Sequence, residues 1–110
     1  MELTRQEQTT KAIRLALTEE GQELGHIYLY LIKNEGHVEP YGLFEKIFVE
    51  EAHRSKGVGS QLIKALIVEA KTQGCYKIVA YARSSRPDIH AWYLRLGFED
   101  WGKEFRMNLL

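Results

Sequence analysis

The chain has 110 residues, 45% of them hydrophobic and 27% charged, which suits one globular domain and excludes a disordered chain. Fifteen Lys and Arg balance fifteen Asp and Glu, so the basic excess of a general nucleic-acid or anionic-membrane binder is missing. One cysteine, Cys75, excludes an internal disulfide framework and a cysteine-only zinc site, and no apolar run approaches the roughly 20 residues that span a bilayer. With no secretory signal pattern either, the expected compartment is the reducing cytoplasm.

Residues 1–9 are polar and read as a frayed end or a short helical turn. Lys11 to Thr18 alternates, with Ile13, Leu15 and Leu17 on one side, and predicts a strand. Glu19 to Gln22 is a turn in which Gly21 can take a positive φ. Glu23 to Lys33, rich in aromatic and β-branched residues, predicts the returning strand of a hairpin. Tyr41 to Val49 predicts a third strand, with Leu43, Glu45, Ile47 and Val49 on one face and Phe44, Lys46 and Phe48 on the other.

The period then changes. Leu62, Ile63, Leu66, Ile67 and Ala70 form one stripe of a helix from Val58 to Thr72, and Gly74 supplies its stop. Tyr76 to Ala82 predicts a compact central strand. Ser84 to Asp88 carries helix-start signals: a Ser cap, Pro87 in the first turn and Asp88 at the positive end of the dipole. That helix carries Ile89, Trp92, Tyr93 and Leu96 and stops at Gly97. Phe98–Trp101 and Phe105–Leu109 predict a final hairpin around Gly102 and Lys103. The expected fold class is α/β with a mixed sheet, in the order β-β-β-α-β-α-β-β, as a single domain over 1–110. The segment from Tyr41 through the helix to Tyr76 should be a parallel crossover.

Charge divides unevenly along the chain. Residues 1–50 hold five basic and nine acidic side chains, and residues 51–110 hold ten and six. The split has two readings, chance or an anion bound by the second half and a cation approaching the first.

The connection Val49 to Ser60 joins a strand to a helix. Gly57 and Gly59 allow a ligand close to the backbone. The unpaired N–H groups of the helix's first turn, together with its dipole, suit a phosphate or pyrophosphate. Arg54, Lys56 and the Ser60 hydroxyl could add donors. The pattern is neither the dinucleotide fingerprint nor a P-loop, and spacing alone leaves a plain connection with solvated basic residues equally open.

Arg54-Ser-Lys-Gly57-Val-Gly59 resembles the R/Q-x-x-G-x-G/A signature of the GNAT superfamily of acyl-CoA-dependent N-acetyltransferases. Ala91 to Glu99, containing Trp92-Tyr93 and Gly97-Phe98, resembles that family's closing helix-to-strand segment. The resemblance covers roughly residues 11 to 110. It implies transfer of an acetyl group from acetyl-CoA, as co-substrate and without a metal, to a primary amine by direct attack in a ternary complex. It implies that the backbone of Ile47, Phe48 and Val49 bonds the pantetheine arm. The backbone N–H groups of Arg54, Ser55, Lys56, Gly57, Val58, Gly59 and Ser60 would hold the pyrophosphate. Tyr93 matches the family's general acid, for which packing on an amphipathic helix is the competing reading. Glu45 is a candidate general base, for which a surface or salt-bridged carboxylate is the competing reading, and His26, His53 and His90 are other conceivable bases.

The chain departs from the family at Glu51, often Pro, and at Ser55, often Gly; neither change removes a backbone donor. Arg86 stands where the family often has an Asn on the CoA arm, which puts that contact in question and could substitute a phosphate or acid contact for it. About ten residues precede the first strand, where relatives commonly have a strand and two helices walling the acceptor site. The acceptor side is therefore open or closed by a partner chain. The partner expected is a small-molecule or peptide amine, with no nucleic acid or membrane, and a homodimer is a candidate because a shortened, aromatic-rich domain gains from burying surface. The acidic first half leans towards a cationic acceptor. An acyl-CoA-binding or regulatory module without catalysis is the alternative function, and a small dimeric interaction domain is a third.

Overall fold

The computed structural model describes residues 1–110. Eight elements follow in chain order: β1 (Ala12–Glu19), β2 (Gln22–Ile32), β3 (Tyr41–Phe44), β4 (Ile47–Val49), a 3-10 turn (Glu51–His53), α1 (Val58–Thr72), β5 (Ile78–Ala80) and α2 (Pro87–Leu96). The chain divides into two compact units, Met1–Ala80 and Tyr81–Leu110. The first carries the sheet and α1, and the second carries α2 and the C-terminal segment.

β1 and β2 form the expected antiparallel hairpin. Its turn places Glu20 and Gly21 at φ 51° and 77°, so both central residues are left-handed, as the twist of a two-residue hairpin favours. β2 pairs antiparallel with β3 and, further towards its own start, with β4. β3 pairs in parallel with β5, as the crossover predicts. The sheet order is β1-β2-β3-β5, with β4 attached to β2.

The third strand is not continuous. Tyr30 faces Leu43 and Ile27 faces Ile47, so β2 spends two intervening residues where the partner spends three. The additional residue makes a β-bulge at Glu45 and Lys46, and a bulge shifts the alternation beyond it. Phe44, Ile47 and Val49 therefore share the α1 side of the sheet with Ile27 and Leu29, whereas Leu43 and Phe48 point to the other side. The expected grouping of Leu43 and Glu45 with Ile47 and Val49 is corrected accordingly.

α1 has the expected bounds. Val58, Leu62, Ile63, Leu66 and Ala70 are buried, and Gln61, Lys64 and Lys71 are exposed. Phe44, Ile27, Leu29, Ile63 and Leu66 are fully enclosed, each worth about 1.5–3 kcal/mol of transfer free energy. Two glycines let this core close. A Cβ on Gly25 would lie 2.5 Å from the Phe48 carbonyl oxygen, 3.1 Å from Val58 Cγ1 and 3.2 Å from Leu62 Cδ1. One on Gly42 would lie 2.8 Å from Leu29 Cδ1.

Three further expectations change. β5 spans only Ile78–Ala80 and lies at the edge of the sheet, because no strand flanks it opposite β3. The final hairpin does not form: residues 97–110 contain no strand, and Trp101, Phe105, Met107 and Leu109 are exposed. Arg86, not a serine, occupies the N-cap of α2, without a side-chain cap bond, with Pro87 next in the first turn. Cys75 is half-buried, and burial pushes its thiol up.

Candidate functional site

The bulge decides which way the backbone of β4 points. The Glu50 N–H donates to the Leu24 carbonyl oxygen at 2.8 Å, and along an antiparallel ladder bonded and unbonded pairs alternate. Given the register, Phe48 is the residue of β4 whose N–H and C=O face β2. Those of Ile47 and Val49 face the opposite edge, which no strand of the sheet covers. On the same edge, upstream of the bulge, the Gly42 N–H is bonded to Lys77 O at 2.9 Å as β3 pairs with β5. The two segments thus part at the bulge: β3 keeps its neighbour and β4 has an open edge.

The loop after β4 aims a second set of donors. Ser55 and Gly57 hold φ 64° and 83°, two left-handed residues within the turn that leads into α1. A glycine adopts this geometry at no steric cost, but a serine does not. Gly57 is the N-cap of α1 and no side chain caps the helix, nor does its first turn hold an acidic residue. The Gln61 N–H donates to the Gly57 carbonyl oxygen at 3.1 Å, so the N–H groups of Val58, Gly59 and Ser60 precede the helical ladder. The helix therefore presents unpaired donors and the positive end of its dipole, an arrangement suited to an anion. Arg54 Nε donates to the Val49 carbonyl oxygen at 3.2 Å, which ties the loop to the open end of β4. Lys56 is exposed, and Gly59 and Ser60 are half-buried.

The possible proton-handling groups sit in distinct settings. Glu45 is exposed on the bulge and makes no ion pair with Lys46. His26 lies on the sheet face opposite α1, its ring stacked on Phe48 at 5.1 Å between centroids and its Nδ1 3.2 Å from Glu23 Oε2. Glu23 is also held by both terminal nitrogens of Arg14, at 2.7 and 2.8 Å, and the Arg14 guanidinium holds its carboxyl below the ordinary carboxylate range. Sequence reading named His26 but missed this triad, because residues on two strands meet only through the β1–β2 register. It also missed Gly25, whose signal was a lone glycine within a strand pattern.

In the second unit, Tyr93 lies on the half-buried stripe of α2 with Ile89, Trp92 and Leu96. Its ring lies 5.7 Å from Trp92 and 5.6 Å from Phe98, centroid to centroid, and burial pushes its hydroxyl above the ordinary phenol value. Gly97, at φ 103°, ends the helix and lets the Phe98 N–H return to the Tyr93 carbonyl oxygen at 3.0 Å. Arg86 is engaged by Asp88, Nε to Oδ1 at 3.1 Å and a terminal nitrogen to Oδ2 at 3.0 Å. His90 Nε2 is 2.8 Å from the Arg83 carbonyl oxygen.

A family model described as an acetyltransferase (GNAT) domain matches residues 11–100. Glucosamine 6-phosphate N-acetyltransferase 1 of Oryza sativa subsp. japonica is 29% identical over 68 residues, 62% of this chain and 38% of that protein. Aminoglycoside N(6')-acetyltransferase type 1 of Acinetobacter haemolyticus is 36% identical over 61 residues, 56% of this chain and 42% of that protein. The chain thus matches about two fifths of the length of these relatives. The crystal structure of glucosamine-6-phosphate N-acetyltransferase from Arabidopsis thaliana superposes with TM-score 0.78 at 18% identity, over 89% of this chain and 67% of that one, a likeness of fold. The open strand edge, the uncapped helix start and the matched family model agree, and the chain belongs to the GNAT acetyltransferase family.

Proposed function

We propose that this chain transfers an acetyl group from acetyl-CoA to the primary amine of a small molecule, by direct attack in a ternary complex. The observation that carries the reading is the open edge of β4 beside the uncapped start of α1. An extended amide-bearing arm can add to a strand edge through main-chain bonds, as peptides do. The outward groups of Ile47 and Val49 suit that role, and the Val49 N–H is placed to meet negative charge on a carbonyl oxygen. Phe48, counted among the arm's partners from sequence, has its main-chain groups directed at β2 and contributes through its ring. The N–H groups from Arg54 to Ser60, with no acidic residue in the helix's first turn, suit a pyrophosphate. Arg86 serves as a phosphate contact only by leaving Asp88.

Acetyl-CoA supplies an activated acyl carbon and a thiolate leaving group. Tyr93 is assigned the proton for that sulfur, and its raised hydroxyl stays protonated across neutral pH. The base that takes a proton from the amine is assigned to Glu45, which is exposed and unencumbered by an ion pair. His26, oriented by Glu23 and stacked on β4, is the second reading for that role. The relatives' names point to amino sugars, and the acidic first half suits a cationic acceptor.

The test is calorimetry with CoA, followed by thiol release from acetyl-CoA with glucosamine 6-phosphate, aminoglycosides and polyamines. Binding with turnover on an amine supports the proposal. Binding with no turnover across the panel identifies an acyl-CoA-binding module instead, and no binding overturns both readings.

A further inference from the structure

Within the first unit, a cluster of rings gathers at the end of β3 away from the bulge. Tyr41 opens β3, and Tyr76 and Lys77 lead into β5 beside it. The Tyr76 N–H donates to the Pro40 carbonyl oxygen at 3.0 Å and the Gly42 N–H to that of Lys77 at 2.9 Å, so the parallel pairing holds these residues together. The rings of Tyr41 and Tyr76 meet at 74°, with centroids 6.3 Å apart. His37, on the connection from β2, lies flat on one face of Tyr76, at 3.8 Å and 11°. Two bonds hold that connection: the His37 N–H donates to the Asn34 carbonyl oxygen at 3.2 Å, and Asn34 Nδ2 donates to the Tyr76 hydroxyl at 3.4 Å. Both tyrosine rings are turned on one ammonium. Lys77 Nζ lies 5.0 Å from the centroid of Tyr41 and 5.4 Å from that of Tyr76. No carboxylate pairs with Lys77. Tyr41 and Tyr76 are half-buried, and Lys77 is exposed.

We propose that Tyr41 and Tyr76, backed by His37, form a binding corner for a methylated ammonium ion, and that Lys77 fills it with its own ammonium when no ligand is bound. A ring face attracts a cation that lies within about 6 Å of its centroid, and Lys77 Nζ meets that condition at both rings. Two faces set nearly at right angles give a cation two walls at once, the element from which aromatic cages for methylated ammonium groups are built. The chemistry of the corner selects methylated over primary ammonium. A primary ammonium is strongly hydrated and needs hydrogen-bond acceptors when it leaves water, and no carboxylate is paired there. A methylated one has fewer donors to satisfy and apolar methyl groups to lay on the rings. Lys77 is accordingly a weak occupant, exposed and carried on a flexible four-carbon stem. From Tyr41 to Val49 the chain runs on the order of 25 Å, so this corner is separate from the one at β4 and α1. The inference is independent of the acetyl-transfer reading.

The full-length chain is titrated with tetramethylammonium chloride while the ring signals of His37, Tyr41 and Tyr76 are followed by NMR. Ammonium chloride at the same concentrations controls for ionic strength and for a hydrated cation. Saturable shifts of the three rings are expected with tetramethylammonium, at a Kd of about 1–10 mM, and none with ammonium. Lys77→Gln removes the competing charge and should tighten binding at least about threefold. Tyr41→Leu and Tyr76→Leu, each of which removes one wall, should weaken it at least about fivefold. Choline and a trimethyllysine peptide are then compared, and the tighter of the two tells a small-molecule source of the group from a protein one. The proposal is overturned by shifts that ammonium chloride reproduces, by shifts confined to Tyr28 and Tyr30, or by a Lys77→Gln protein that binds no tighter than the wild type. Should a tyrosine variant fail to fold by circular dichroism, Lys77→Gln and the wild-type titration still decide.

Discussion

Gly25→Ala is the most informative single change. The added methyl would sit 2.5 Å from the Phe48 carbonyl oxygen, 3.1 Å from Val58 Cγ1 and 3.2 Å from Leu62 Cδ1. Two of these neighbours are side chains on the first turns of α1 and can give. The third is main chain, held in the β2–β4 ladder, and it can move only by loosening that pairing. Overpacking of this kind costs about 1–3 kcal/mol, and the backbone clash puts it at the upper end. Alanine recovers less than about 1 kcal/mol by restricting the unfolded chain. The net loss is about 2 kcal/mol, a fall of roughly 10 °C in Tm for a chain of this size. Because the methyl pushes α1 away from β4, CoA affinity should fall about tenfold, a modest effect for a misplaced binding element. Gly21→Ala is the control. Gly21 has φ +77° and nothing within 4 Å of a Cβ, so it should cost about 1 kcal/mol and leave CoA affinity alone. Thermal unfolding and calorimetry read both quantities. If Gly25→Ala matches Gly21→Ala in affinity, or melts with the wild type, the close approach of α1 to the sheet does not position the site.

Tyr93→Phe keeps the ring packing and removes the proton, so kcat should fall at least about 100-fold with KM and CoA affinity little changed; equal turnover removes Tyr93 from the chemistry. Glu45→Gln should lower kcat about 100-fold with CoA affinity little changed, and if His26→Gln alone does so the base is His26. Ser55→Gly relieves a left-handed serine at φ 64° and should stabilise the fold by about 0.5–1 kcal/mol net of the extra freedom of the unfolded glycine, read as a higher denaturant midpoint. Arg14 holds Glu23 below its ordinary value, so that pair's contribution is present above the unfolded carboxylate's value and is lost as pH falls through the lowered one. Wild type should therefore lose more Tm than Glu23→Gln between about pH 5 and pH 3, and equal losses would show that the pair does not stabilise the fold.

The parts of the fold that depend on local periodicity were legible. The β1–β2 hairpin and α1 are written in alternation, a turn glycine and a 3.6-residue stripe, and the structure places them within a residue of expectation. Helix α2 and its glycine stop were equally plain. What pairing alone decides was not. The bulge at Glu45 and Lys46 exists because β2 must serve both β3 and β4 at unequal spacing, and nothing in Tyr41–Val49 announces it. The C-terminal alternation truly has a strand's period, but period fixes which faces a strand would have and not whether a partner is present to make it one. The loop between β4 and α1, proposed to hold a pyrophosphate, was visible through its two glycines. The left-handed Ser55 was not, since serine carries no signal for positive φ.

The bulge also explains why the two donor sets lie together. Without the extra residue, the alternation of β3 would run on unbroken, and Ile47 and Val49 would turn their main-chain groups and side chains the other way. Phe48 would then face the edge that Ile47 and Val49 now face, and its large ring, now stacked on His26, would compete with Leu62 and Val58 for space beneath α1. With the bulge, the small-footprint side of β4 packs under the helix, Gly25 lets the helix start descend onto it, and Arg54 closes the corner through the Val49 carbonyl oxygen. One irregular residue thereby sets strand edge and helix start at a single corner. That juxtaposition, rather than either glycine motif alone, is what makes the corner suited to a ligand with amides along its arm and phosphates at its end.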